Sequence, residues 1–214
     1  LRPPGHAARS EAVTLLAREV AREMTVKSGQ KCTAIRRILV PQNLYDEVAQ
    51  AIAAQLAKVT VGNPHNDAVR MGSLVSRSQY DTVQQGLSQL QAHTNALYDG
   101  RANALVDADP TIAACAQPVL LGTQDPDGCA LVHDMEIFGP VATLMPYRDL
   151  EHGLALAHRG QGSLVCSLYF YFFSARVFRE MSLVPIELQK VYRQQDERFV
   201  EVLDKIRNNT ATRE

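Results

Sequence analysis

Two short segments carry residue types that could do chemistry. The first, Thr25-Val26-Lys27-Ser28-Gly29-Gln30-Lys31-Cys32-Thr33-Ala34, sets the Cys32 thiol in a glycine-containing turn. A thiol displayed on such a turn can act as a nucleophile once it is ionised, because the thiolate is the reactive form. The competing reading of one cysteine is a buried small hydrophobe. The second segment lies far downstream and reads Glu136-Ile137-Phe138-Gly139-Pro140-Val141. Alone, Glu136 reads as a solvated loop carboxylate and Phe138 as an ordinary core anchor.

The elements that must position these segments follow from periodicity. Residues 11–24 predict a helix, with Val13, Leu16, Val20 and Met24 at near-helical spacing, and residues 36–41 a strand built on the apolar run Ile38, Leu39 and Val40. The turn holding Cys32 is thus the joint between a helix and a strand. Asn43 is placed to cap a helix with Leu44, Val48, Ile52 and Leu56 on one face, and residues 59–61 lead into a Gly62-Asn63-Pro64 turn. A further helix carries Val83, Leu87 and Leu90. Residues 118–121 and 142–145 read as strands. Asp149 caps a helix expected to turn Leu150, Leu154 and Ala157 inward, and residues 163–168 are expected to return as a strand. Alternating strands and helices predict an α/β layered sheet.

The two segments in this order resemble the aldehyde dehydrogenase superfamily, the first its Gly-Gln-x-Cys nucleophile loop and the second its Glu-x-Phe-Gly-Pro cofactor segment. The surrounding residues are closer to one branch of it. Arg22-Glu23-Met24-Thr25-Val26-Lys27, Cys32-Thr33-Ala34-Ile35-Arg36-Arg37-Ile38-Leu39-Val40-Pro41 and Gly139-Pro140-Val141-Ala142-Thr143-Leu144-Met145-Pro146-Tyr147 resemble the dehydrogenase half of a bifunctional phenylacetate-degradation protein, in which that half is fused to a MaoC-type hydratase. The resemblance implies a three-layer catalytic domain and Cys32 as the nucleophile. It further implies Glu136 on the nicotinamide ribose hydroxyls and Phe138 beside the nicotinamide ring. The implied reaction oxidises an aldehyde to the acid with NADP or NAD, the substrate being a ring-cleavage semialdehyde, free or CoA-linked. The aldehyde attaches to the thiol as a thiohemiacetal, hydride leaves, and water cleaves the resulting thioester. Backbone N–H groups of the tight loop would donate to the developing oxyanion. The resemblance also implies a homo-oligomer.

Other parts of that family's site are not expected in this chain. The family's dinucleotide-binding Rossmann domain precedes its nucleophile, only residues 1–31 precede Cys32, and no Gly-x-Gly-x-x-Gly follows a strand. The family's general-base glutamate and oxyanion-hole asparagine belong to the same upstream part. Glu11, Glu19 and Glu23 read as solvated helix residues and take neither role. The domain expectation is therefore a truncated catalytic domain over residues 1–170, with little or no aldehyde oxidation by the isolated chain. The alternative is a non-catalytic interaction fragment or a damaged one, with sheet edges free to associate.

The composition shifts near Tyr169: every glycine lies at or before Gly162, while most Phe and Tyr residues lie beyond. From about Tyr171, the stretches Tyr171-Phe172-Phe173-Ser174-Ala175-Arg176-Val177-Phe178 and Ile186-Glu187-Leu188-Gln189-Lys190-Val191-Tyr192-Arg193-Gln194-Gln195-Asp196-Glu197-Arg198-Phe199 are similar to Pif1-like DNA helicases. The resemblance implies a mainly helical, chimeric tail over residues 171–214 and, for Arg193, an approach to a nucleotide's terminal phosphate. No phosphate-cradling loop accompanies it, so Arg193 reads as a surface residue and helicase activity is not expected.

Composition limits the remaining classes. The chain has 214 residues, 46% of them hydrophobic, and a formal net charge of -1, so it can bury one sizeable core and lacks the basic excess of a nucleic-acid binder. Residues 164–173 are too short an apolar stretch to span a bilayer, and the N-terminus does not read as a signal peptide, so a cytoplasmic location is expected. Cys32, Cys115, Cys129 and Cys166 are scattered, and His133 and His158 stand apart from any carboxylate or cysteine cluster. Neither a metal site nor a disulfide framework is expected.

Overall fold

The computed structural model describes residues 6–160 and 163–167. The chain divides into the units Leu1–Tyr171 and Phe172–Glu214. The second unit, with the helicase-like segment and Arg193, lies outside the described residues.

Helix α1 (His6–Thr25) begins before residue 11 and buries Val13, Ala17, Val20, Ala21 and Met24, a stripe recurring at three and four residues. Leu16 is only half-buried at the edge of that stripe. Strand β1 (Arg37–Pro41) alternates, with Ile38 and Val40 inside. Helix α2 (Tyr45–Leu56) lays Val48, Ile52 and Leu56 against α1. Asn43 is not at the cap position of α2. It lies in the 3-10 turn Gln42–Leu44, and the cap position falls to Leu44, which makes no side-chain cap bond.

Helix α3 (Arg77–Gln91) is capped by Ser76, whose hydroxyl accepts from the Gln79 N–H at 3.2 Å, and it buries Val83, Leu87 and Leu90. Strand β2 (Asn95–Asp99) was not legible in the sequence: it is a short edge strand with half-exposed residues at best, so it lacks the alternation that marks a strand. Strands β3 (Val119–Gly122) and β4 (Val141–Tyr147) follow, separated by the single-turn helix α4 (Leu131–Asp134). The sheet order is β1-β4-β3-β2, with β4 parallel to both β1 and β3 and β2 antiparallel to β3.

Period-2 alternation splits the core between the two sheet faces. On one face Ile38, Val40, Leu120, Ala142 and Leu144 pack with α1 and α2; on the other, Val119, Leu121, Val141 and Met145 pack with α3 and α4. The result is a helix–sheet–helix α/β arrangement in which β3 and β4, buried on both faces, read as continuous apolar runs.

Helix α5 (Leu150–His158) corrects one expectation. Asp149 does cap it, accepting from the His152 N–H at 2.8 Å, but Leu150 and Leu154 face outward at 63% and 51% exposure. The phase set by the cap instead buries His152 and Leu156, one turn apart. Residues 163–167 form no strand. The Ser163 hydroxyl donates back to the Gly160 carbonyl at 3.0 Å, so the chain turns there and leaves Leu164 and Val165 exposed.

His133 settles into this frame as a structural residue. Its Nε2–H donates to the Pro126 carbonyl at 2.8 Å, and its Nδ1 accepts from Arg37 at 3.2 Å. Burial pushes its pKa below the ordinary value of 6.5, and a second proton would set Nδ1–H against the Arg37 N–H. A folded-state pKa below the unfolded one means the unfolded chain binds more protons between the two values. Stability is thus complete above the unfolded value and falls as pH drops through it toward the lower folded value. Urea midpoints compared at about pH 7.5 and about pH 5.5 are expected to fall on acidification, and to fall less in His133→Gln.

Candidate active site

After α1 the chain does not run straight into β1. Lys27 and Ser28 take left-handed backbone angles, φ 54° and 55°, followed by Gly29 at φ 70°. For Lys and Ser such angles cost about 1–2 kcal/mol each, so something must hold them. The Ser28 hydroxyl donates to the Gly72 carbonyl at 2.9 Å, the Gln30 N–H closes on the Lys27 carbonyl at 2.9 Å, and the Gln30 side-chain oxygen accepts from the Val75 N–H at 2.8 Å. Lys31 pairs with Glu23 of α1 at 2.5 Å. The turn is thereby pinned on both sides. Cys32 sits just beyond these anchors and is exposed, as a nucleophile's turn requires.

Gly29 packs directly on the second segment. A Cβ there would collide with the Gly139 carbonyl, and its positive φ independently favours glycine. Gly139 is confined from its other side, where a Cβ would stand 2.7 Å from Val83 Cγ2 of α3. Two glycines 110 residues apart in sequence thus let the thiol-bearing turn and residues 136–141 meet backbone to backbone.

Arg36 bridges the same two segments. One terminal nitrogen donates to the Gly29 carbonyl at 2.7 Å and the other to the Gly139 carbonyl at 3.2 Å. Its Nε stands 3.9 Å from the Glu136 carboxylate, and the guanidinium lies 5.8 Å from the centre of the Phe138 ring. Burial lowers the Arg36 pKa and Glu136 partly restores it. Sequence reasoning missed this residue. The signal was the Arg36-Arg37 pair at the mouth of a buried strand, where a cation needs a reason to be.

The Glu136 side chain is 65% exposed and Phe138 40% exposed, on either side of the buried Ile137. The Glu136 carboxylate can accept hydrogen bonds from hydroxyls, and the Phe138 ring beside it presents a partly open aromatic face. Among the described residues, no group of three or more His, Cys, Asp or Glu side chains could hold a metal ion, and no helix is long and apolar enough to cross a membrane.

The chain belongs to the aldehyde dehydrogenase family, whose model matches residues 10–169. It is 46% identical over 156 residues to the 3,4-dehydroadipyl-CoA semialdehyde dehydrogenase of Aromatoleum evansii, covering 72% of this chain and 30% of that protein. It is 42% identical over 99 residues to Protein MaoC of Klebsiella aerogenes, covering 46% of this chain and 28% of that one. Among solved structures it is similar to betaine aldehyde dehydrogenase of Staphylococcus aureus, crystallised with NAD+, at a TM-score of 0.60 and 22% identity over 68% of this chain and 29% of that one. That likeness is one of fold. The chain spans about three tenths of the length of these curated relatives.

Proposed function

We propose that Cys32 is the nucleophile of an aldehyde-oxidising site, with Glu136 and Phe138 on its cofactor side. The observation that carries this reading is the backbone contact between Gly29 and Gly139, which sets the exposed-thiol turn against the segment bearing the Glu136 carboxylate and the Phe138 ring. The Cys32 thiolate adds to the aldehyde carbonyl carbon, forming a C–S bond and a tetrahedral oxyanion, and later carries the acyl group as a thioester until water releases the acid. A bound nicotinamide, NADP or NAD, would supply the hydride acceptor between those two states. Glu136 would orient it through its ribose hydroxyls, and Phe138 would shield the ring from water. The 46% identity to a CoA-semialdehyde dehydrogenase supports a CoA-linked ring-cleavage semialdehyde as substrate.

The thiol's part can be tested without a hydride acceptor. An activated aryl ester such as 4-nitrophenyl acetate acylates a nucleophilic thiolate directly, and the modified residue is read by peptide mass spectrometry. Cys32 is expected to be acetylated about tenfold or more faster than Cys166, which is also exposed but lies outside the Gly29 turn. Cys115 should lag further, since burial pushes its thiol pKa up. Uniform acetylation, or Cys166 ahead of Cys32, would refute the assignment.

A further inference from the structure

Arg36 is a largely buried cation whose side chain is only 14% exposed, and its ion pair with Glu136 is long, 3.9 Å from Nε to the carboxylate. Its terminal nitrogens donate to backbone carbonyls, Gly29 in the thiol-bearing turn and Gly139 in the segment after Phe138, with a longer 3.5 Å bond to the neighbouring Ile35 carbonyl. Its Nε is buried without a hydrogen-bond partner, while the Glu136 carboxylate stands 3.9 Å away, within one small side-chain rotation of bonding distance. An arginine held at both ends with its middle donor aimed at an open carboxylate is arranged to govern where that carboxylate rests.

We infer that Arg36 is a positioning residue that ties the Cys32 turn to the Glu136–Gly139 segment and sets the resting orientation of Glu136. It touches neither of the reacting atoms assigned above and acts through the two loops it joins. The planar fork is essential, because a lysine ammonium cannot donate to both carbonyls in fixed directions while facing a carboxylate. The consequence is coupling: displacement of one loop is felt at the other, so anything that engages Glu136 also changes the setting of the thiol.

The test uses the full chain and the variants Arg36→Met and Arg36→Lys, with two readouts. The first is the rate of Cys32 acetylation by 4-nitrophenyl acetate relative to Cys166 in the same molecule. The second is amide hydrogen exchange over residues 27–31 and 137–141. Arg36→Met is expected to lower the relative Cys32 rate about tenfold and to raise exchange at both loops together. Arg36→Lys should recover part of the rate but leave exchange raised at one loop or both. Adding Glu136→Gln to Arg36→Met should cost less than Glu136→Gln costs in the wild type, because the arginine that set the carboxylate is already gone. Unchanged exchange in Arg36→Met, or a rise confined to one loop, overturns the coupling. The rate readout alone rests on the role proposed for Cys32. If wild-type Cys32 shows no preference over Cys166, that role fails, and the exchange pattern still decides for or against Arg36.

Discussion

Gly29→Ala is expected to lower stability by about 3 kcal/mol and to abolish the preferential acylation of Cys32. Two penalties add at this position. An alanine at φ 70° costs about 1–2 kcal/mol in backbone strain, and its Cβ would occupy the space of the Gly139 carbonyl. That carbonyl cannot retreat freely, because it accepts from Arg36 and from the Val141 N–H, and Gly139 is backed by Val83. Relief must come from moving the thiol-bearing turn outward, which would break the Arg36 bond to the Gly29 carbonyl and the Ser28 bond to Gly72. Chemical denaturation followed by secondary-structure signal reads the first effect, and peptide mapping after ester treatment reads the second. Full stability with a retained Cys32 preference would mean that the two loops are not in the contact described.

Arg37→Met should be of similar size, about 3 kcal/mol, and should act on a different part of the fold. Arg37 opens β1, and its guanidinium donates to the Leu156 carbonyl at 2.8 Å and the Ala157 carbonyl at 3.1 Å, both in the last turn of α5. The Ala157 carbonyl also accepts from the Gly160 N–H at 3.1 Å. The last carbonyls of a helix in general lack intrahelical partners, and the helix dipole makes the site favourable for a cation. The same side chain donates to His133 Nδ1 at 3.2 Å. Methionine keeps the aliphatic packing and removes all three donations; the Ala157 carbonyl retains the Gly160 N–H, while the Leu156 carbonyl and His133 Nδ1 lose their donor at about 1–3 kcal/mol each where water cannot reach them. Hydrogen exchange should rise in α5 while Cys32 acylation stays near the wild-type rate, since Arg37 points away from the Gly29–Gly139 contact. A loss of Cys32 reactivity equal to that in Gly29→Ala would show that the neighbouring arginines do not have the separate tasks their bonds indicate.

How far the sequence could be read depended on which force fixed each element. The helices carrying Val48, Ile52 and Leu56 and carrying Val83, Leu87 and Leu90 were legible because burial on one side imposes a 3.6-residue repeat. Strands β1, β3 and β4 were legible as apolar runs. The edge strand β2 was not, because it answers to backbone pairing with β3 and needs little apolar content of its own. The inward face of α5 was misassigned because Leu150 and Leu154 carry the hydrophobic signal, whereas the cap at Asp149 and the bonds of His152 set the phase. Cys32, Glu136 and Phe138 were singled out through the two motifs, while Arg36 and Ser28 were not, since their partners are carbonyls on segments distant in the chain.

The sequence by itself determined the α/β class, the thiol on its turn and the membership in a family of aldehyde dehydrogenases, because local periodicity and residue type are written in consecutive positions. Only the tertiary structure decided which backbone atoms the turn meets, which arginine bonds to that turn and which to the end of α5. Those choices rest on hydrogen bonds to main-chain carbonyls, and a carbonyl looks the same in every residue, so no side-chain pattern can announce it.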